Sequence, residues 1–142
     1  MKQRVFLDTN IIFDLLGRRD PYYPHAAALF SAIERGLVEA SASSLTYANL
    51  HYVLRKEVGS RKAVEALTDL RKLVAILPVD DAVIARALAS DFNDFEDAIQ
   101  YHAALAKGVE VIITRNTRDY SNAAIPVMTA GEFLAHIGCV PS

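Results

Sequence analysis

The stretch DFEDAIQYHAALAKGVEVIITRN, residues 94–116, combines a predicted helix with a predicted strand. Apolar residues at helical spacing indicate the helix, and Gly108 is placed to end it. The mostly apolar run from Val109 to Ile113 predicts a buried parallel strand. Because the strand runs back along the helix after a short reversal, the beginning of the helix is expected near the end of the strand. The helical positions are Phe95, Ala98, Ile99, His102 and Ala106.

This reversal predicts that polar side chains from distant parts of the chain meet. Asp94 and Asp97 begin the helix, while Asn116 and Asp119 follow the strand. A second buried strand is predicted at residues 5–7, and it ends at Asp8. Ligands of open α/β sheets bind beyond the carboxyl ends of the strands. We therefore expect these side chains to converge there, with Asp8 among them if the two strands are neighbours.

The other predicted elements alternate between strands and helices. Weaker strands are expected at Val38–Ser43 and Ile125–Met128, and the second runs into a capping box formed by Thr129 and Glu132. The alternation predicts an α/β sandwich around a mainly parallel sheet. The other helices are indicated by Ala26, Leu29, Phe30 and Ile33, ending at Gly36; by Tyr47, Leu50 and Leu54; by Ala63, Val64, Leu67, Leu70 and Val74, with Ser60 as cap; and by Val83, Ile84, Ala87 and Leu88 after Asp80.

Length and composition predict one domain over residues 1–142, since the chain has 142 residues of which 52% are hydrophobic, and no long linker interrupts it. The apolar runs are too short to span a bilayer and the N-terminus lacks a signal-peptide pattern, so a cytoplasmic location is expected. The single cysteine, Cys139, is expected to be a packing residue. Glycine-rich phosphate loops and nucleophile-elbow patterns do not occur, which disfavours nucleotide hydrolysis and covalent catalysis.

The predicted set of oxygen side chains suits a hard cation. Magnesium and manganese prefer carboxylate and amide oxygens without histidine or cysteine partners. Carboxylates held close together raise one another's pKa, so their convergence implies a neutralising cation. One or two such ions activate water and orient a phosphodiester in metal-dependent nucleases.

Each of these residues also has a simpler explanation. Asp8 can hydrogen-bond the loop that follows its strand, and Asn116 and Asp119 can form a turn. Asp94 can cap the helix, which places Asp97 in the first turn, where the helix dipole favours acids. Arg115 and Arg118 are the basic residues nearest the predicted site, as phosphate contacts or as solvated charges; Asp91 and Glu96 are expected to be solvated, and His25, His51, His102 and His136 to be structural.

Four segments together resemble a PIN domain of the bacterial branch related to VapC-like toxins. They are VFLDTNIIFDLL, SASSLTYANLHYVLRK, DFEDAIQYHAALAKGVEVIITRNTRDY and IPVMTAGEFL, in the family's order over nearly the whole chain. The resemblance implies a three-layer α/β/α sandwich with a mainly parallel central sheet, and a Mg²⁺- or Mn²⁺-dependent ribonuclease site. It also implies a cognate antitoxin protein and a homodimer.

The resemblance assigns metal-binding carboxylates to Asp8 and Asp97, with Asp119 as a substitute acid and Asp94 as an additional one. It assigns orientation of the site to Thr9, Asn10 and Thr114. Two positions depart from the usual pattern, because Asn49 stands where many relatives have glutamate and Asn116 where the family commonly has aspartate. An amide offers a neutral oxygen and cannot act as a base. The resemblance therefore leaves open whether one metal or two bind.

Two hypotheses of different classes follow. In the first, the chain is a toxin-type endoribonuclease in which Asp8, Asp97 and Asp119 hold the ion, Asp94 assists, and Asn49 and Asn116 position water or phosphate. In the second, it is a PIN-like module that binds RNA or protein without cutting, and the acids serve as helix caps. A phosphatase of the haloacid dehalogenase type is disfavoured, because Asn10 stands where that family has its second aspartate.

Overall fold

The computed structural model describes residues 2–138, within which five strands form one sheet. All neighbouring strands are parallel, and the order across the sheet is β3-β2-β1-β4-β5. The chain adds strands on one side of β1 and then on the other, so the order reverses between β1 and β4. The strands are β1 (Gln3–Leu7), β2 (Val38–Ser43), β3 (Val74–Leu77), β4 (Val111–Ile113) and β5 (Val127–Met128).

Helices cover both faces of this sheet. Val5 and Leu7 of β1 point into the larger core, while Phe6 between them points to the opposite face. The larger core contains residues of α1 to α4 and α7, and the other face is covered by α6 with α5 against it. The predicted α/β/α sandwich is therefore confirmed. The helices are α1 (Thr9–Leu16), α2 (Tyr23–Glu34), α3 (Ser44–Val58), α4 (Ser60–Arg71), α5 (Asp81–Leu88), α6 (Phe95–Ala106) and α7 (Ala130–His136), with a 3₁₀ turn at Thr117–Tyr120.

The predicted helix ends are mostly confirmed by specific contacts. The side chain of Asp80 accepts a hydrogen bond from the N–H of Val83 and caps α5. Thr129 and Glu132 form the predicted capping box of α7. Gly108 follows α6 with a φ of 67°, a left-handed conformation that glycine adopts at little cost.

Two predictions around α4 were wrong. Val74 does not continue that helix, because α4 ends at Arg71 and Val74 begins β3 with its side chain fully buried. Ser60 is not the cap; it is the first helical residue, and Gly59 precedes it with a φ of 88° and no side-chain cap. The first apolar residue of β3 follows the last apolar residue of α4 at helical spacing. The sequence pattern therefore gave no sign of the boundary between the helix and the strand.

Other differences concern element limits. Helix α1 was not predicted, although Asp8 caps it by accepting a hydrogen bond from the N–H of Thr9. The strand expected from Val109 begins two residues later, at Val111. Cys139 lies outside the described residues. None of the helices within residues 2–138 combines the length and the apolar composition needed to cross a bilayer.

Candidate active site

Asp8 lies at the point where β1 gives way to α1, beside the end of β4. Its backbone N–H donates to the carbonyl of Ile113 at 2.9 Å, which fixes it against the neighbouring strand. Its carboxylate accepts two further hydrogen bonds, from the N–H of Thr9 and from the hydroxyl of Thr114, both at 2.8 Å. Burial raises the pKa of Asp8 more than these hydrogen bonds lower it. The carboxylate is therefore held in one orientation at a cost in free energy.

Helix α6 brings two more carboxylates to this edge of the sheet. Asp94 caps the helix, since its side chain accepts a hydrogen bond from the N–H of Asp97 at 2.9 Å. Burial, and to a smaller extent the neighbouring charges of Asp94, Asp8, Asp119 and Glu96, together raise the pKa of the Asp97 carboxyl to about 7. Asp97 thus experiences the field of acids that come from three separate parts of the chain.

The acid cluster, defined as Asp8, Asp94, Asp97 and Asp119, lies at the edge predicted from the sequence. Asp119 is exposed in the 3₁₀ turn after β4 and raises the pKa of both Asp8 and Asp97. Among residues 2–138, no three Asp, Glu, His or Cys side chains are arranged to hold a metal ion by themselves. The cluster is electrostatically coupled without forming an all-protein cage.

The two amide positions that depart from the family pattern have different surroundings. Asn49 donates from its side-chain nitrogen to a carboxylate oxygen of Glu96 at 2.9 Å. Glu96 was predicted to be a solvated charge; it is exposed, but it contacts Asn49 and contributes to the raised pKa of Asp97. Glu96 on α6 thus brings a negative charge close to position 49 on α3, where Asn49 itself has none. Asn116 is exposed just beyond β4, and its backbone N–H donates to the hydroxyl of Thr114.

A buried polar network lies beneath the acid cluster, and sequence reasoning did not identify it. Gln100 donates from its side-chain nitrogen to the hydroxyls of Thr46, at 2.8 Å, and Thr9, at 3.3 Å. Its side-chain oxygen accepts from the hydroxyl of Ser43, and the two threonine hydroxyls are 2.8 Å apart. Ser43, Thr46 and Gln100 are all fully buried. The sequence signal for this network was Gln100, a polar residue among the buried apolar positions of α6.

Arg115 is held in place by a buried acid. Its Nε lies 3.1 Å from a carboxylate oxygen of Asp14, which is 1% exposed, and its guanidinium lies 4.2 Å from the ring centre of Tyr22. Burial raises the pKa of Asp14, and the charges of Arg115 and Arg19 oppose that effect. The pair lines a cleft of about 420 Å³ that extends to Asn116.

The other predicted site residues lie in α1 and in the 3₁₀ turn, near the cluster. Asn10 accepts a long hydrogen bond of 3.4 Å from the N–H of Arg115. Arg118 is exposed beside Asp119 in the 3₁₀ turn. The sequence-based placement of these residues near one edge of the sheet agrees with the structure, while their roles as metal ligands, orienting groups or RNA contacts stay predictions.

Tyr120 is buried beneath the acid cluster, and its hydroxyl finds no hydrogen-bond partner among the described residues. Burial and the charges of Asp8, Asp97, Asp119 and Asp94 raise the pKa of this hydroxyl. The neutral phenol is therefore the form present.

The exchange Tyr120→Phe is expected to leave the free energy of unfolding of the metal-free protein unchanged, or to raise it by up to about 1 kcal/mol, because it removes an unsatisfied buried hydroxyl. The matched exchange is Tyr101→Phe, since the buried Tyr101 accepts a hydrogen bond from the N–H of Ala124 at 3.0 Å. That variant should lose about 1 kcal/mol. Urea denaturation compares them, and an equal loss in both would show that the Tyr120 hydroxyl is satisfied.

The residues of the cluster fit a magnesium or manganese ion in their chemistry. Magnesium typically binds one or two carboxylates directly and keeps several water molecules, so a loose set of acids suits it better than a closed cage would. A cation would relieve the repulsion that raises the pKa of Asp8 and Asp97.

Comparison with known proteins shows which family the chain resembles. The chain is 25% identical over 136 residues to Ribonuclease VapC1 of Aquifex aeolicus (strain VF5), over 92% of this chain and 93% of that protein. It is similar to a toxin-antitoxin complex from Klebsiella pneumoniae, with a TM-score of 0.67 at 25% identity over 89% of this chain and 97% of that one. Its fold also matches VapBC-1 from nontypeable Haemophilus influenzae, with a TM-score of 0.68 at 18% identity over 90% and 98% of the two chains. The sequence profile of the PIN domain matches residues 4–118. The resemblance inferred from the sequence is confirmed, and the chain belongs to the PIN domain family.

Proposed function

We propose that this protein is a VapC-type ribonuclease toxin that hydrolyses RNA phosphodiester bonds with Mg²⁺ or Mn²⁺. The observation that supports the metal dependence is the coupling of the acid cluster: burial, together with the charges of carboxylates at the end of β1, at the start of α6 and in the 3₁₀ turn, raises the pKa of Asp97 to about 7. Uncompensated charges near one another destabilise the native state, and a bound cation would compensate them.

The residues of the site have different proposed roles in metal binding and in orientation of the substrate. Asp8 and Asp97 would hold the ion, Asp119 would reach it from the 3₁₀ turn, and Asp94 would assist while it caps α6. When bound, the ion lowers the pKa of water and stabilises the charge that develops on the phosphate. Thr9 and Thr114 keep the carboxylate of Asp8 oriented through their 2.8 Å hydrogen bonds. Asn49 and Asn116 offer amide groups that position water or phosphate.

The proposed partners follow from the relatives. The similar structure from Klebsiella pneumoniae is a toxin-antitoxin complex, and a cognate antitoxin is proposed for this chain too. Such an inhibitor would have to cover the exposed side of the acid cluster, where Asp94, Asn116 and Asp119 face solvent. RNA would approach the same surface, with Arg115 and Arg118 as its nearest basic contacts. The homodimer stays a prediction.

Removal of divalent metal is expected to stop RNA cleavage, and added Mn²⁺ should restore it. The test incubates the purified protein with structured and single-stranded RNAs, with EDTA or with Mn²⁺. Because the raised pKa values of Asp8 and Asp97 oppose the ionised form that binds metal, Mn²⁺ affinity should rise as the pH increases from 6 to 8. Calorimetric titration at both pH values measures this, and cleavage that persists in EDTA would contradict the metal requirement.

A second candidate function is a module that binds RNA or protein without cutting. It is favoured by the neutral Asn49 and by the fact that Asp8 and Asp94 each cap a helix. Caps alone need no metal, so this alternative predicts little Mn²⁺ affinity at any pH. The same titration therefore separates the two candidates.

A further inference from the structure

We propose that Gln100 is a positioning residue that sets the distance between the carboxylates of Asp8 and Asp97. This inference rests on the proposed function, because it concerns the same acids. Gln100 touches none of the carboxylates itself. It acts through the elements that carry them, by joining the helix of Asp97 to the strand-helix junction of Asp8.

The first argument is that the side-chain amide of Gln100 makes three hydrogen bonds to hydroxyl groups of neighbouring elements. Both N–H groups are used, on Thr46 and on Thr9, and the oxygen accepts from Ser43. The side chain is 1% exposed, so water does not compete for these contacts. A buried amide with three hydrogen bonds has one favourable orientation, which makes it a rigid connector.

The second argument is the position of Gln100 relative to Asp97. The two residues are three apart on α6, so they lie on one face of the helix about one turn from each other. Sideways movement or rotation of α6 that displaced Asp97 would therefore break the contacts of Gln100 as well. Fixing Gln100 fixes the place of Asp97.

The third argument is what Gln100 is joined to. Thr9 follows Asp8 directly, and its N–H holds one oxygen of the Asp8 carboxylate. Thr46 gives a second route to the same point, because its hydroxyl lies 2.8 Å from that of Thr9. The connection from the helix of Asp97 to Asp8 thus passes through two threonines rather than one.

The fourth argument is energetic. The remaining buried residues of α6 include Ala98, Ile99 and Ala104, so an aliphatic residue at position 100 would suit packing alone. Burying an amide instead costs desolvation that its hydrogen bonds only offset. Repulsion among Asp8, Asp97 and their neighbours tends to push α6 away from β1, and directional hydrogen bonds resist that displacement better than apolar contacts do.

The test compares Gln100→Met, which keeps the volume and removes the hydrogen bonds, with Thr9→Val, which cuts the connection at the other end. Crystal structures of both variants are expected to show the Asp8 and Asp97 carboxylates displaced relative to each other by about 1 Å. Mn²⁺ binding should weaken about 10- to 100-fold. For RNA cleavage, kcat should fall about 100-fold while KM changes little.

The matched control is Ser41→Ala, which removes a buried hydrogen bond between β2 and β1, from the Ser41 hydroxyl to the Val5 carbonyl. It should cost similar stability and change neither the carboxylate separation nor Mn²⁺ affinity. An unchanged separation in both Gln100→Met and Thr9→Val would overturn the proposal. Because that separation is measured without RNA or metal, it decides the role of Gln100 even if the wild-type protein cuts no RNA.

Discussion

Asp97→Asn is expected to abolish RNA cleavage while making the metal-free protein more stable at pH 8. Cleavage should fall by on the order of 100-fold or more, because the exchange removes a charge that the proposed ion requires. Stability should change in the opposite direction. The wild-type carboxylate sits among like charges, and a neutral amide at position 97 relieves that repulsion.

The pH dependence of this gain has a defined sign. The pKa of Asp97 is about 7 in the folded protein and near 3.8 in the unfolded chain, so the folded state binds the proton more tightly. The wild-type protein therefore loses stability as the pH rises from about 4 to 7, and the variant lacks this loss. Allowing for solvent screening of a partly exposed group, the variant should be about 1 to 2 kcal/mol more stable at pH 8 and show little gain at pH 4.

Urea denaturation in EDTA at both pH values measures the gain. Asp91→Asn is the control, since Asp91 is an exposed acid of the same segment outside the acid cluster; it should change neither stability nor cleavage. Saturating Mn²⁺ should reverse the order, because only the wild-type protein binds the ion tightly. A variant that still cuts RNA at the wild-type rate would remove Asp97 from the site.

Arg115→Ala is expected to destabilise the protein by about 2 to 3 kcal/mol, because it leaves the Asp14 carboxylate buried without its partner. Asp14 is 1% exposed and Arg115 lies 3.1 Å from it, with 28% of the arginine side chain exposed. The loss also includes the contact of the guanidinium with Tyr22. The deficit should shrink as the pH falls from 7 to 4, since protonation of Asp14 removes the unpaired charge.

The double variant Asp14→Leu with Arg115→Met should recover most of the stability that Arg115→Ala loses. Replacing both members of a buried pair by apolar residues removes the desolvation cost along with the attraction. Arg118→Ala is the control for charge alone, because Arg118 is exposed in the same loop. If Arg115→Ala proved no worse than Arg118→Ala, the pair with Asp14 would contribute nothing measurable to stability.

The parts of the fold that were predicted correctly are those with a local signal. The apolar run before Asp8, the helix that begins after Asp94 and the strand ending at Ile113 each indicate their type and one of their ends within a few residues, while both strands begin at a different residue than predicted. Strand β3 was missed because Val74 continues the helical spacing of Leu70, and only pairing with β2 shows that it is extended. Helix α1 was missed because its cap, Asp8, had already been assigned to the end of a strand.

The candidate site was likewise predicted where a sequence signal exists and missed where it depends on contacts between distant residues. The convergence of Asp8, Asp97 and Asp119 followed from the rule that ligands bind at the carboxyl ends of parallel strands. The role of Gln100 depends on Thr9 and Thr46, which are 91 and 54 positions away, so no local pattern reports it. Asp14 and Arg115 are also far apart in the chain, so no local sequence pattern predicts that they pair.

The order of the strands in the sheet also determines when, during synthesis of the chain, the candidate site can form. Asp8 is synthesised before Thr114, which orients it and follows 106 positions later, and β1 lacks its neighbour β4 until then. At about 5–20 residues per second, translation separates the two by roughly 5 to 20 seconds. A chain still in synthesis therefore holds Asp8 without the hydroxyl that orients it, and the two groups can meet only after β4 and Thr114 have emerged from the ribosome.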